Sequence, residues 1–318
     1  MTEAKPAEER RILLTGAGGF VGRPCLEALV ERGWEVHAVT SREAPESAGG
    51  ARWRRADLLD AGEIRALIRD VRPSHLLHLA WHLDPRGDLY RSPENFRWVS
   101  AGLELLRAFA EAGGRRVVFV GSGAEYDWRH GFCSEAATPL APSTTYGLCK
   151  RALSELFGDF LALHGPEVTG AWARLFFLYG PHERPQRLIA SVIQSLLRGE
   201  ATRCSHGRQL RDYLFTLDAA TALVEVLDSK VGGVINVASG EPTRLADLIR
   251  RTARRLGRED LVELGAIPVP ADDPPLVVAD VRRLRREVGW QPAWDVDDAL
   301  DHTIDWWRGR PSEPEGDS

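Results

Sequence analysis

From Ile12 to Phe177 the chain switches back and forth between two hydrophobic periodicities. Short runs carrying apolar, β-branched or aromatic residues predict strands at Ile12–Thr15, Glu35–Thr40, Arg52–Arg55, His75–Leu79, Val117–Val120 and Val168–Phe177. Between them, Val21–Arg32, Ile64–Val71, Pro93–Ala112 and Thr145–His164 repeat apolar residues every three or four positions, which predicts helices with one buried face. Such alternation builds an α/β fold: an open, doubly wound parallel sheet with crossover helices, whose ligands gather at the carboxyl ends of the strands. After about Gly180 the pattern loosens into helices at Leu188–Arg198, Leu217–Ser229, Leu245–Leu256 and Val296–Trp307, with short strands such as Val234–Val237 and proline-rich loops. The expected organisation is a sheet domain over 1–180, a smaller α+β lobe over 181–310 covering the ligand edge, and a flexible tail over 311–318.

The first strand runs directly into Gly16-Ala17-Gly18-Gly19-Phe20-Val21-Gly22 and then into an apolar helix. Glycine at 16 permits a tight turn, at 19 lets backbone amides approach a pyrophosphate, and at 22 lets helix and strand pack closely. The amides and dipole at the helix start favour that anion, so this turn is expected to bind a dinucleotide. The second strand ends in Val39-Thr40-Ser41-Arg42, without the Asp or Glu that usually meets an NAD ribose 2′-hydroxyl. Ser41 and Arg42 are suited to a 2′-phosphate, which favours NADP(H), while Glu43 keeps NAD(H) open as the alternative.

Composition narrows the field. A net charge of −5, with arginines scattered among acids, offers no footprint for nucleic acid. No apolar run is long enough to span a bilayer and Met1–Arg10 has no apolar signal core, so a soluble cytoplasmic protein is expected. Cys25, Cys133, Cys149 and Cys204 form no CxxC pair and the histidines show no ligand spacing, so buried thiols and no metal are expected. Lysine occurs only at 5, 150 and 230 among 41 basic residues, so a lysine inside a motif carries more meaning here than usual.

One such motif is Tyr146-Gly147-Leu148-Cys149-Lys150 at the start of a predicted helix, where a four-residue spacing puts phenol and ammonium on one face. A phenol ordinarily titrates near 10, too high for acid–base work at neutral pH, and an adjacent ammonium is expected to lower it. Just upstream, the fifth strand ends at Gly121-Ser122-Gly123-Ala124-Glu125-Tyr126. Ser122 there can hold a substrate oxygen while Tyr146 exchanges a proton with it; taken alone, such a serine is more often a cap or turn residue.

Together with Asp57-Leu58, His78-Leu79-Ala80, Asn95, Arg174-Leu175-Phe176, Tyr179-Gly180-Pro181 and Gly207 to Tyr213, these motifs resemble the extended short-chain dehydrogenase/reductase family, which contains sugar-nucleotide epimerases, dehydratases and reductases. The resemblance implies a Rossmann-type domain in which Gly16, Gly19, Phe20, Val21 and Gly22 hold the pyrophosphate and Asp57 and Leu58 flank the adenine. It also implies that Leu79 and Ala80 lie along the cofactor, Lys150 holds the nicotinamide ribose and Phe176 borders the nicotinamide. Arg211, and with it Arg187, is implied to pair with a nucleotide diphosphate; His82, Glu125 and Tyr126 are sugar-pocket candidates. A homodimer through helices around Val99–Ala110 and Leu153–Leu163 is implied as well.

Relatives that eliminate water carry Asp-Glu directly after the Ser/Thr position, and those that epimerise next to a carbonyl carry a cysteine where Ala124 stands. Here Gly123 and Ala124 occupy those places. The remaining Ser-Tyr-Lys set suffices for hydride chemistry at one carbon, and the second-strand ending tilts the expectation to NADPH-dependent reduction of the 4-keto group of a nucleotide-linked 4-keto-6-deoxysugar. An NAD-dependent 4-epimerase is the alternative, and a non-catalytic NADP-sensing protein on the same scaffold is a third reading.

Overall fold

The computed structural model describes residues 10–43, 49–82 and 89–310. The expected tail over 311–318 lies outside the described residues. In chain order the elements are β1 Arg11–Thr15, α1 Gly22–Glu31, β2 Glu35–Thr40, β3 Arg52–Arg55, α2 Ala61–Val71, β4 His75–His78, α3 Glu94–Glu111, β5 Arg116–Ser122, β6 Phe132–Cys133, α4 Thr145–His164 and β7 Thr169–Leu175. There follow β8 Phe177–Tyr179, α5 Leu188–Leu197, β9 Thr202–Cys204, β10 Leu210–Phe215, α6 Thr216–Asp228, β11 Gly233–Val237, β12 Pro242–Arg244, α7 Leu245–Leu256, β13 Val262–Leu264, β14 Leu276–Ala279 and α8 Val296–Arg308.

Seven strands form one parallel sheet in the order β11-β7-β5-β4-β1-β2-β3, the doubly wound arrangement expected from the alternating pattern. Helices cover both faces, so the central strands are apolar throughout: Ile12, Leu13 and Leu14 of β1 are fully buried, as are Val117, Val118 and Phe119 of β5. The edge strand β3 reads Arg-Trp-Arg-Arg with its arginines exposed, a charged border that discourages further strand pairing. Connections reverse direction between β1 and β4, which makes the carboxyl ends of those strands the switch point where such sheets bind ligands.

Two expectations are corrected. Val168–Phe177 is not one strand: β7 ends at Leu175, the chain steps across at Phe176, and β8 pairs with β10 of a second sheet. The expected boundary near 180 does not separate the sheets either. The strand expected at Val234–Val237 for the second lobe is β11, which pairs with β7 and completes the large sheet, while α6 packs against α1. The second sheet, β12-β10-β14-β6, takes β6 from the first half of the sequence.

One side chain ties the two sheets together. Asn236 of β11, fully buried, donates from Nδ2 to the carbonyls of Cys133 (2.9 Å) and Asp280 (3.1 Å), and its Oδ1 accepts from the Tyr126 hydroxyl at 2.8 Å. Asn236→Ala removes three buried hydrogen bonds at once, and we expect it to lower stability in urea titration by roughly 3 kcal/mol.

Candidate active site

The carboxyl ends of β1, β4 and β5 converge on one crevice, and the turn after β1 is shaped by what it must fit against. Gly16 has φ +70°, and a Cβ there would stand 2.8 Å from the Ala80 amide nitrogen. A Cβ on Gly22 would lie 2.0 Å from the Gly16 carbonyl oxygen, so α1 starts in direct contact with the turn only because residue 22 is glycine. Thr15, fully buried, locks the neighbouring loop: its Oγ1 accepts from the amides of Leu79 and Ala80, both at 3.2 Å, and lies 2.8 Å from His78 Nδ1. With its oxygen taken by two amides, Thr15 donates its proton to Nδ1, and the His78 ring is neutral. Burial, followed by the nearby Lys150 charge, pushes its pKa down to about 3.

These residues fit a dinucleotide pyrophosphate. The start of α1 has no side-chain cap and no acidic residue in its first turn, so its amides are not claimed by a carboxylate or hydroxyl. Arg23 sits at the same turn, bonded from Nε to the Gly18 carbonyl at 3.0 Å, and a Cβ on Gly18 would meet open space. Phe20 and Val21 are half-buried beside it. At the end of β2, Ser41, Arg42 and Glu43 are all exposed. Asp57 is exposed with its carboxylate on the Leu59 amide at 2.9 Å, and Leu58 is buried.

β5 runs two residues further than the apolar run predicts, so Ser122 is its last residue. Its hydroxyl accepts the Ala124 amide at 3.1 Å, capping the short turn Gly123–Glu125, and it lies beside the Tyr146 phenol, whose charged form it favours. The serine is thus both the cap and the partner of the tyrosine. Tyr146 reaches it because α4 begins against that turn: a Cβ on Gly147 would stand 2.4 Å from the Ala124 carbonyl oxygen. Phe176 closes the far side, its ring 3.1 Å from where a Cβ on Gly123 would be.

The expected effect of lysine on the phenol is corrected. Burial pushes the Tyr146 hydroxyl up rather than down, opposed by the Ser122 hydroxyl, and the phenol is protonated at neutral pH. Lys150 is itself buried; its ammonium donates to the Val120 carbonyl at 2.7 Å and stands 3.7 Å from the centre of the Trp81 ring. Burial draws it down to about 7, with the Glu125 carboxylate pulling the other way.

Glu125 and Tyr126 are corrected too: neither faces a sugar pocket. Glu125 is fully buried behind Ser122, where it accepts from Arg174 Nε (2.8 Å), Trp172 Nε1 (2.9 Å) and the Ser122 amide (2.8 Å). Tyr126 is buried against the Arg174 guanidinium, 4.5 Å from ring centre to Cζ, with its hydroxyl spent on Asn236. A lone Glu after a glycine-rich turn gives no hint of a partner 49 residues further on.

A sequence profile of the NAD dependent epimerase/dehydratase family matches residues 12–238, from β1 to just past β11. The chain belongs to the NAD dependent epimerase/dehydratase family. Among solved structures, MoeE5 in complex with UDP-glucuronic acid and NAD is 30% identical, with a TM-score of 0.82 over 94% of this chain and 99% of that one. UDP-glucose 4-epimerase from Streptomyces lividans is 27% identical over 96% of this chain and 98% of its own. The dTDP-6-deoxy-L-talose 4-dehydrogenase (NAD(+)) of Aggregatibacter actinomycetemcomitans is 27% identical over 74% of this chain and 86% of its own.

In this family member the remaining expected residues are dispersed around the crevice. Arg187 donates to the Tyr90 hydroxyl at 3.2 Å, and the Tyr90 ring meets that of Tyr146 edge-on, 6.0 Å between centres. Arg211 is buried and ion-paired with Asp273, so its charge is already answered within the protein. His82 is half-buried, its Nε2 shielded and without a partner among the described residues. Sequence reasoning passed over Trp81 and Tyr90, the aromatic walls of the site; the only available signal was the position of Trp81, directly after Leu79-Ala80.

Removing one side of the Glu125–Arg174 pair strands a buried charge. Glu125→Ala is expected to cost about 3–5 kcal/mol in chemical denaturation, with a smaller loss for Glu125→Gln. Lys150→Met removes a buried cation that the folded protein holds less readily than the unfolded chain does. The unfolded chain keeps that proton up to the ordinary lysine range, so wild-type stability from this group rises with pH above about 7. The Tm gain of Lys150→Met over wild type should therefore be largest at pH 6 and shrink steadily by pH 9.

Proposed function

We propose that the chain is an enzyme acting on a nucleotide sugar with a nicotinamide cofactor, and that it reduces the 4-keto group of a nucleotide-linked 4-keto-6-deoxysugar with NADPH. The observation that carries this reading is the Ser122–Tyr146 hydroxyl pair at the end of β5, with no free carboxylate in the turn Gly123–Glu125 that follows it. Elimination of water needs both an acid and a base at the sugar carbons. Gly123 and Ala124 offer neither, and both oxygens of Glu125 are engaged in the core. Oxidoreduction at one carbon needs only a proton donor and an oriented oxygen.

Held in the crevice by the glycine turn, Leu79, Ala80 and Lys150, the dinucleotide would supply the hydride. Ser122 holds the substrate oxygen against the phenol, and Tyr146, kept protonated by burial, gives its proton to that oxygen as charge develops there. Lys150 places a positive charge next to the phenolate so formed. Protonated phenol at neutral pH suits reduction of a ketone better than oxidation of an alcohol. Ser41 and Arg42, exposed where NAD binders carry an acid, support NADPH.

A second reading is an epimerase that oxidises and re-reduces C4 with a retained NAD. The name of the Streptomyces lividans relative and the NAD in the MoeE5 complex favour it. The two separate cleanly: reduction consumes NADPH absorbance when a nucleotide-linked 4-ketosugar is added, whereas epimerisation proceeds without added cofactor and denatured protein releases NAD. In either case Tyr146→Phe is expected to lower kcat by at least about 100-fold with little change in cofactor affinity.

We also assign the protein a homodimeric state. α3 and α4 leave Phe96, Leu148, Leu156 and Leu163 exposed by 57%, 50%, 45% and 86%, an apolar face consistent with a helical dimer interface. Leu156→Arg combined with Leu163→Arg should convert the dimer to a monomer in light scattering while leaving the fold intact.

A further inference from the structure

We infer that Trp81 is a positioning residue for Lys150: its indole face, anchored through Asn95, holds the buried ammonium in place beside Tyr146. The inference rests on the reading of Tyr146 and Lys150 as the reacting pair, and deepens it.

An ammonium has three donors and no acceptor, and in water all three are solvated. Lys150 gives one to the Val120 carbonyl at 2.7 Å, and the Trp81 ring centre lies 3.7 Å from Nζ, within the range of a strong cation–π contact. The charged and titratable groups around it offer little else. His78 at the end of β4 is neutral and is pushed further from protonation by Lys150 itself. Glu125, in the turn after β5, favours the ammonium but spends both oxygens on Arg174, Trp172 and the Ser122 amide. Tyr146, on the same helix, is a protonated phenol. The indole face therefore joins the Val120 carbonyl in replacing the water that Lys150 has lost.

Trp81 is fixed well enough for that task. Its Nε1 donates to Asn95 Oδ1 at 2.7 Å, and Asn95 is fully buried with Nδ2 bonded to the carbonyls of Leu89 (2.8 Å) and Ser92 (2.9 Å). The ring also meets Tyr146 edge-on at 6.2 Å and Trp98 at 6.2 Å. One indole thus touches both members of the pair, and its plane is set by a side chain anchored to the backbone at the start of α3.

The scarcity of lysine provides the test. With lysine labelled at the ε-carbon by ¹³C, the chain gives signals from Lys5, Lys150 and Lys230 alone, and the Lys150 signal is identified by its absence in Lys150→Met. In Trp81→Leu the Lys150 titration midpoint should fall by about one pH unit, a tenfold weakening of the ammonium form. Trp81→Phe, which restores an aromatic face, should recover at least half of that shift, and Lys5 and Lys230 should not move. If Trp81→Leu does not fold, growth on mono- and difluorotryptophan weakens the ring face without removing it, and the Lys150 midpoint should fall with each fluorine. A midpoint unchanged in Trp81→Leu or across the fluorinated series, or equal shifts in the leucine and phenylalanine variants, overturns the inference. The titration needs neither cofactor nor substrate. Full turnover by Tyr146→Phe and Lys150→Met would sink the reacting-pair reading and leave the lysine measurement standing on its own.

Discussion

A carboxylate sealed inside the protein sets the geometry of everything at the end of β5. Glu125 has no access to water, and its bonds join two parts of the structure: Arg174 and Trp172 on β7, and the amide of Ser122 at the end of β5. Gly121 has to be glycine for this, since a Cβ there would lie 2.0 Å from Trp172 Nε1 and 2.4 Å from the Glu125 carboxylate. Burying an ion pair is costly, and a hydrophobic substitute often matches it in stability. What the pair supplies is direction. Ser122 faces the crevice because its amide is tied from behind, and Arg174 passes the constraint on through Tyr126 to Asn236 and so to the second sheet.

Much of the large sheet was legible because its central strands, β1 and β5 above all, are short apolar runs ended by a glycine or polar turn. The helices Thr145–His164 and Leu245–Leu256 match their expected bounds, since a cap or a glycine marks their ends: Thr144 accepts the Gly147 amide, and Gly257 takes a left-handed conformation. Strands of the second sheet were not legible, and β10 illustrates why. It reads Leu-Arg-Asp-Tyr-Leu-Phe, with Arg211 and Asp212 both buried. Asp212 is accommodated by the amides of Ser239, Gly240 and Ala279, none of them local. Polar residues satisfied from a distance look like surface in a linear reading.

The same blindness explains the site. The glycine turn, Ser122, Tyr146 and Lys150 announce themselves through spacing that backbone geometry demands. Glu125 and Tyr126 were read as pocket residues because charge and hydroxyl near a reacting serine suggest contact with substrate, yet burial had already assigned them elsewhere. The upward push on the phenol could not be read at all. It depends on how much water Tyr90, Trp81 and Phe176 exclude, and exclusion is a property of volume, not of spacing.

The route of the backbone between the sheets has a mechanical consequence. The chain leaves the large sheet after β5 to make β6, returns as α4, leaves again at Phe176, returns with α6 and β11, and departs once more into β12. Lobes stitched together by so many covalent passes have no single hinge about which to swing. Motion that admits a ligand must therefore be confined to side chains and loops or to slight sliding of packed layers, and a foreign lobe could not be spliced in at one cut.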